Sequence, residues 1–231
     1  MKQDTNLRAD AQQTRRRLIE VGLEQFGRLG FGAASTRALA TAAEANLGAI
    51  KYHFDGKEGL YLAVAEHIAE QMHTALSPMI EAVQTQLSSA SPAGAISAET
   101  ARATLRKIAS GMVQLIAANP QTVLWMRFIL REQAEPTQAF EIVYAKVMQP
   151  MHMLLSTLVA AITGDVPESD AAKLKAFALI GQIIFFRVAH AAVVRRMGWQ
   201  TIGAAEAEEI EMALHLIIDG LPPTFAQRET R

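Results

Sequence analysis

Between residues 35 and 58 the sequence concentrates side chains that donate hydrogen bonds to anions and to base edges. Thr36, Arg37, Asn46, Lys51, Tyr52, His53 and Lys57 supply hydroxyl, guanidinium, amide, ammonium and imidazole groups. Leu47, Gly48 and Ala49 lie among them, and such small or apolar residues let a backbone come close to a groove floor. Lys57 falls at a helix start, where free N–H groups already favour an anion. Upstream, Arg15, Arg16 and Arg17 stand together near the start of a helix, where cations oppose the helix dipole. That placement suits either a solvated face or a negatively charged partner. Taken alone, the 47–54 segment also fits an amphipathic helix whose Tyr-His-Phe rim packs on neighbours. Other chemistry is poorly served. The chain has no cysteine, which excludes disulfides, iron–sulfur ligation and a thiol nucleophile. It has no P-loop, GxGxxG, HExxH or nucleophile elbow, and its six histidines show no metal-like spacing. No catalytic residue, metal or cofactor is expected.

These residues need elements to hold them. Apolar residues recur at helical spacing almost throughout the 231 residues, and strand alternation is missing, so the chain reads as all-α with about nine helices. A first helix is expected over 10–29, with Leu18, Val21, Gly22, Phe26 and Leu29 on one face and Gly30 ending it. Ser35 or Thr36 caps a short helix, Glu44-Ala45 makes a tight turn, and Asn46 caps a second short helix. Asp55-Gly56 breaks that helix before a long one over 59–76. Two short helices joined by three or four residues inside a three-helix unit are the layout of a helix-turn-helix.

Beyond this unit, Ser77-Pro78 predicts a kink or helix end, and 88–94 a flexible surface loop. A helix over 137–162 should kink at Pro150. Two helices, 169–196 and 205–219, close the chain. The first is apolar nearly all round and requires burial on more than one side. Its run 176–194 contains Gln182, Arg187 and His190, groups that are costly in hydrocarbon, so it reads as a buried helix and not a membrane span. The polar N-terminus predicts no signal peptide, and the expected location is the cytoplasm.

The stretch STRALATAAEANLGAIKYHFDGKEGLYLAV resembles the DNA-binding domain of the TetR family of bacterial one-component regulators. Thr36, Asn46, Tyr52-His53-Phe54, Lys57-Glu58 and Leu60-Tyr61 carry the likeness. Glu44 departs from it, standing where the family usually has glycine, and a glutamate is penalised in a left-handed turn. The segments REQAEP…AFEIVY and GQIIFFRVAH…VRRMGW resemble the CecR-like branch. The resemblance implies a helix-turn-helix DNA-binding domain over 1–56, with a helix from 57 linking it to an effector-binding and dimerisation domain over 57–231. It implies a ligand-responsive regulator, acting as a repressor, that binds palindromic double-stranded operator DNA as a homodimer and is released by a small-molecule effector. No membrane partner is implied. Arg17, Thr36, Arg37, Tyr52, His53 and Lys57 would hold phosphates, while Asn46, Leu47, Gly48, Ala49 and Lys51 would face base edges. The alternative is a helical protein-interaction scaffold without DNA binding.

The effector would lie among the large side chains Trp125, Met126, Phe128, Ile129, Met148, Met151, His152, Leu155, Phe185 and Phe186, with Arg187 and His190 as polar candidates. Arg127, Arg131, Glu132, Arg187 and His190 fall within apolar helices. Buried charges must be paired, so either they pair together, as Arg187 with Glu132 would, or one anchors a polar ligand. Phe177, Ile184, Val188, Ala191, Ile210, Leu214 and Ile217 would form the dimer interface. The net charge of −1 argues at first against a nucleic-acid binder. Yet residues 1–60 hold nine Lys/Arg against seven Asp/Glu, so the positive charge leans toward the segment that would meet DNA.

Overall fold

The computed structural model describes residues 2–90, 96–119 and 122–222, and among these it is helical with no strand. Eleven α-helices follow in order: α1 (Lys2–Ala33), α2 (Thr36–Ala42), α3 (Gly48–Phe54), α4 (Lys57–Ala90), α5 (Ala98–Met112), α6 (Thr122–Ala134), α7 (Gln138–Val143), α8 (Gln149–Thr163), α9 (Asp170–Val188), α10 (His190–Met197) and α11 (Ala204–Asp219). Two stretches, Val113–Ala118 and Tyr144–Met148, are wound as π-helix.

The helices cluster into two compact units. The first comprises 1–73 and 121–147, the second 74–120 and 148–231. A cut at residue 56 would divide the first unit, because Tyr61 of α4 sits against Phe26 and Phe31 of α1 and Phe128 of α6, with ring centroids 4.9, 5.1 and 4.8 Å away.

The core of the first unit follows from the period of α1. Leu18, Leu23 and Phe26 are buried with Leu39 of α2, Ile50 of α3, and Leu60, Val64 and Ile68 of α4. Burying each such side chain stabilises by about 1.5–3 kcal/mol. Two glycines set how closely these helices meet. A Cβ at Gly22 would lie 2.9 Å from Val64 Cγ2, and one at Gly59 only 1.7 Å from the carbonyl oxygen of Phe54.

In the second unit α8 packs against α5 and α9, and α11 lies on α5. Leu105, Ile108, Leu155, Leu158, Leu179, Ile183, Ile210, Leu214 and Ile218 are buried there. Polar groups pin the helix ends. Arg102 donates to the carbonyls of Ile218, Asp219 (2.9 Å) and Leu221 (3.1 Å), and Arg106 donates through Nε to the Asp219 carboxylate at 2.8 Å. The last carbonyls of α11 have no intrahelical partner, and guanidinium groups satisfy them.

Four sequence expectations change. α4 continues through Pro78, so no helix end occurs there. The expected loop over 88–94 is taken up to residue 90 by the end of α4, and 91–95 lie outside the described residues. The kink at Pro150 becomes a π-wound stretch over 144–148, after which Pro150 sits in the first turn of α8, where no backbone donor is needed. The single helix over 169–196 is two, because the backbone departs from helical geometry at Ala189 (φ −94°, ψ 23°) and α10 turns 78° away from α9.

Gly59→Ala should force the α3–α4 corner apart. Overpacking of this kind costs about 1–3 kcal/mol, and urea unfolding monitored by circular dichroism is expected to show a loss of that size. An unchanged midpoint would mean that the corner yields freely.

Candidate nucleic-acid interface

The first unit presents the donors named above on one short helix and its flanks. Ser35 caps α2, its hydroxyl accepting from the Ala38 amide at 3.1 Å. Thr36 then opens the helix half-buried, while Arg37 is exposed. The turn after α2 places Glu44 at φ 51°, in the left-handed region. The Ala45 amide donates to the Ala40 carbonyl at 2.9 Å and the Glu44 amide to the Thr41 carbonyl at 3.1 Å. These two bonds form a Schellman motif with glutamate in the glycine position. A residue with a Cβ costs roughly 1–2 kcal/mol there, so the turn keeps the family's shape against a local strain.

α3 is capped by Leu47 at αR dihedrals, with no side-chain bond, so Asn46 is not its N-cap; the Asn46 carbonyl instead accepts from the Ala49 amide at 3.0 Å. Ala49, Ile50 and Phe54 face inward. Ala49 therefore cannot face base edges, because its place on the helix turns it to the core with Ile50. The opposite face is open. Leu47 is 60% and Tyr52 80% exposed, and Gly48, Lys51 and Asn46 are exposed beside them. His53 is half-buried, edge-on to Tyr52 with centroids 4.8 Å apart. Burial first, and then the Arg15 cation, hold its imidazole below the usual range. Both causes turn His53 toward its neutral form, which offers a hydrogen bond.

The cations are distributed around this helix. Arg15 stands over the Phe54 ring at 5.3 Å and Lys57 over the Phe31 ring at 4.2 Å. Arg17 reaches Glu44 at 3.7 Å, and Lys51 pairs with Asp55 at 2.9 Å. The Lys51 hydrogen bond lowers the Asp55 carboxyl below the ordinary aspartate range.

What ties α4 to α6 and α7 is a buried acid that sequence reasoning assigned elsewhere. Glu132 accepts the Tyr61 hydroxyl at 2.5 Å, the Thr137 amide and hydroxyl at 3.1 and 2.8 Å, and the Phe140 amide at 2.9 Å. Burial, with Glu132 after it, drives the Tyr61 phenol upward, so it stays protonated as the donor. Beside it Arg131 donates to the carbonyls of Gly27 and Arg28, at 3.1 and 2.9 Å, where the regular winding of α1 stops at Gly30 (φ 80°, ψ 169°).

Arg187 does not pair with Glu132. It lies in the second unit, and its guanidinium donates to the carbonyls of Ile116, Ala117 and Asn119 at 2.6, 2.7 and 2.9 Å, closing a π-wound end that has orphan acceptors. Burial alone lowers its pKa.

The proposed effector residues separate into two groups. Trp125, Met126, Phe128 and Ile129 are core residues of the first unit. In the second, Met151 and Leu155 are core, Met148 and His190 are half-buried, and His152 lies edge-on to Phe177 at 4.8 Å. Phe185 and Phe186 among them line a cavity of about 510 Å³ in the second unit. Phe185, Met197 and Trp199 form its apolar wall, with Arg196 and Glu209 beside them. Met197, Trp199, Arg196 and Glu209 were not among the residues expected there, because they join Phe185 and Phe186 only where α10 turns away from α9. Of the dimer candidates, Phe177, Val188, Ala191 and Ile217 are exposed and Ile184 is half-buried. Ile210 and Leu214 are 2% exposed and belong to the protomer's own core, because α11 turns that face toward α5. Leu174, Met212 and Leu216 are exposed apolar residues that the pattern did not single out.

Two family profiles match the chain. The one described as "Bacterial regulatory proteins, tetR family" covers residues 18–64, and the one described as "HTH-type transcriptional dual regulator CecR, C-terminal domain" covers 101–221. The HTH-type transcriptional dual regulator CecR of Shigella flexneri is 33% identical over 217 residues, 94% of this chain and 95% of that protein. The HTH-type transcriptional regulatory protein RaaS of Mycobacterium tuberculosis is 41% identical over 58 residues, 25% of this chain and 27% of that protein. Among solved structures, AibR in complex with isovaleryl coenzyme A and operator DNA has a TM-score of 0.62 at 14% identity, covering 91% of this chain and 99% of that one. A TetR-family regulator from Streptomyces coelicolor has a TM-score of 0.59 at 16% identity, covering 96% and 94%. At such identities the likeness is one of fold.

Glu132→Ala would strand the Tyr61 hydroxyl and the Thr137 and Phe140 amides. A buried polar group without a partner costs about 1–3 kcal/mol. Chemical denaturation should show at least one such loss for Glu132→Ala and a smaller one for Tyr61→Phe. Parental stability in both would show that the network holds nothing.

Proposed function

The chain belongs to the TetR family of bacterial transcriptional regulators, on its CecR branch, and on that premise we propose that it is a ligand-responsive repressor binding a palindromic operator as a homodimer. The observation that carries the DNA-binding part is the outer face of α3, where Leu47 and Tyr52 stand in water beside Gly48 and Lys51. A leucine at the N-cap and a tyrosine on the seven-residue helix, both held out of the core, suit a groove, the leucine against a thymine methyl and the tyrosine hydroxyl on a phosphate. In this reading residues 1–56 are the DNA-binding domain and 57–231 carry the effector and dimer functions. Arg17, Thr36, Arg37, Tyr52, His53 and Lys57 hold phosphates, His53 as a neutral donor. Asn46, Leu47, Gly48 and Lys51 face base edges. Two copies would place α3 in successive major grooves about 34 Å apart.

The exposed apolar residues of α9 and α11, Phe177, Val188, Met212, Leu216 and Ile217, support burial against a second copy. AibR is seen with both an acyl-coenzyme A and operator DNA. That likeness, with the aromatic cavity under Phe185, Phe186 and Trp199, supports an effector with a sizeable apolar part. Coupling between such a site and DNA is typically 1–3 kcal/mol. The protein would act in the cytoplasm, with no membrane partner.

A duplex recovered by selection from a randomised library on the parental protein gives the binding probe. Arg37→Ala should weaken binding to it and flatten the plot of log affinity against log salt by about one unit. An unchanged slope in fluorescence anisotropy removes Arg37 from the contact set. Light scattering is expected to give twice the chain mass, and a monomer would sink the homodimer reading.

A further inference from the structure

Three residues other than glycine have positive φ among the described residues, and all three are acidic: Glu44, Asp55 and Glu168. Two of them bracket α3. Asp55 ends it at φ 59°, and its carboxylate takes the Lys51 ammonium at 2.9 Å, one helical turn back. Asparagine or glycine would hold this backbone more easily. The pair itself is worth little, since Lys51 and Asp55 side chains are 77% and 89% exposed. The acid therefore neither relieves the turn nor does much to stabilise the fold. What it does is occupy the one cation on the open face of α3.

We propose that Asp55 is a specificity-determining residue of the DNA reader, weakening the hold of Lys51 on phosphates while a fitting base edge can still draw it off. The inference rests on the DNA-binding reading above. On an unmatched duplex nearly all attraction comes from phosphate contacts. Lys51 is then shared between its carboxylate partner and the phosphates, which weakens its contact, while Asp55 repels the backbone. On a matched duplex a guanine O6/N7 edge held against α3 offers Lys51 two fixed acceptors, and the weak exposed pair opens to reach them. Neutralising Asp55 frees Lys51 for any phosphate, so unmatched DNA gains a contact that matched DNA already has in another form. Glu44 is a built-in comparison. Its partner Arg17, 3.7 Å away, belongs to the phosphate set on either duplex, so its charge weighs on both equally.

Asp55→Asn and Glu44→Gln keep shape and suit the existing turns. The probes are the duplex selected on the parental protein and a random duplex of equal length, each titrated over a salt series. Asp55→Asn is expected to bind the random duplex roughly fivefold or more tightly near 0.1 M salt, with a salt slope steeper by about one unit. Its preference for the selected duplex should fall at least threefold, whereas Glu44→Gln should leave that preference unchanged. Equal gains on both duplexes with Asp55→Asn, no gain on random DNA, or the same fall in preference with Glu44→Gln would each overturn the proposal. A parental protein that selects no sequence would instead sink the DNA-binding reading beneath it.

Discussion

Glu132 is a carboxylate at 4% exposure inside an apolar helix, and its charge must be answered by donors or the unit around it cannot close. Four donors converge on it: the Tyr61 hydroxyl from α4, and the Thr137 hydroxyl and two amides at the start of α7. Those bonds fix α4 to α6 and set the direction in which the chain leaves α6. Arg131, the neighbouring residue, fastens the same helix to the Gly27 and Arg28 carbonyls of α1. The aromatic cluster of Phe26, Phe31, Tyr61 and Phe128 fills the space between these polar ties. Since α2 and α3 lean on α1, the attitude of the exposed face of α3 is a consequence of how one acid is satisfied.

Helix ends make the same demand in the second unit. Arg102 and Arg106 gather on the last turn of α11, and Arg187 closes the π-wound end that follows α5. Each guanidinium meets several carbonyls at once, which a planar fork of donors does without rearrangement. Arg102, Arg106 and Arg187 are thus structural, and the cations left for DNA lie around α3. A near-neutral total charge is then compatible with a nucleic-acid partner, because the argument is about one surface and not the sum.

Much of the reader was legible. Ser35, the Asp55-Gly56 break and Lys57 mark α2, the end of α3 and the start of α4 as expected, since caps and left-handed stops act within four or five residues. Glu44 looked like an obstacle to the turn, yet the turn forms, because two backbone bonds over-determine it. Ala49 shows the limit. In a seven-residue helix one residue's face depends on a rotation of about 100°, and composition alone does not settle which small residue turns inward. For Ile210 and Leu214 the apolar stripe was read correctly but its partner was not, since a protomer core and a second copy ask for the same residue types.

The sequence by itself determined that this chain is helical, where its short reader helices begin and end, and which donors crowd together there. These are local matters of period, capping and turn chemistry. Only the tertiary structure decided that Glu132 answers Tyr61 and Arg187 answers backbone carbonyls. It alone showed that α10 bends away to open a cavity, and that Leu216 and not Leu214 stands in water. Those outcomes depend on which surfaces meet across 70 or more residues of chain, and a charge or an apolar stripe carries no record of its partner until the helices are packed.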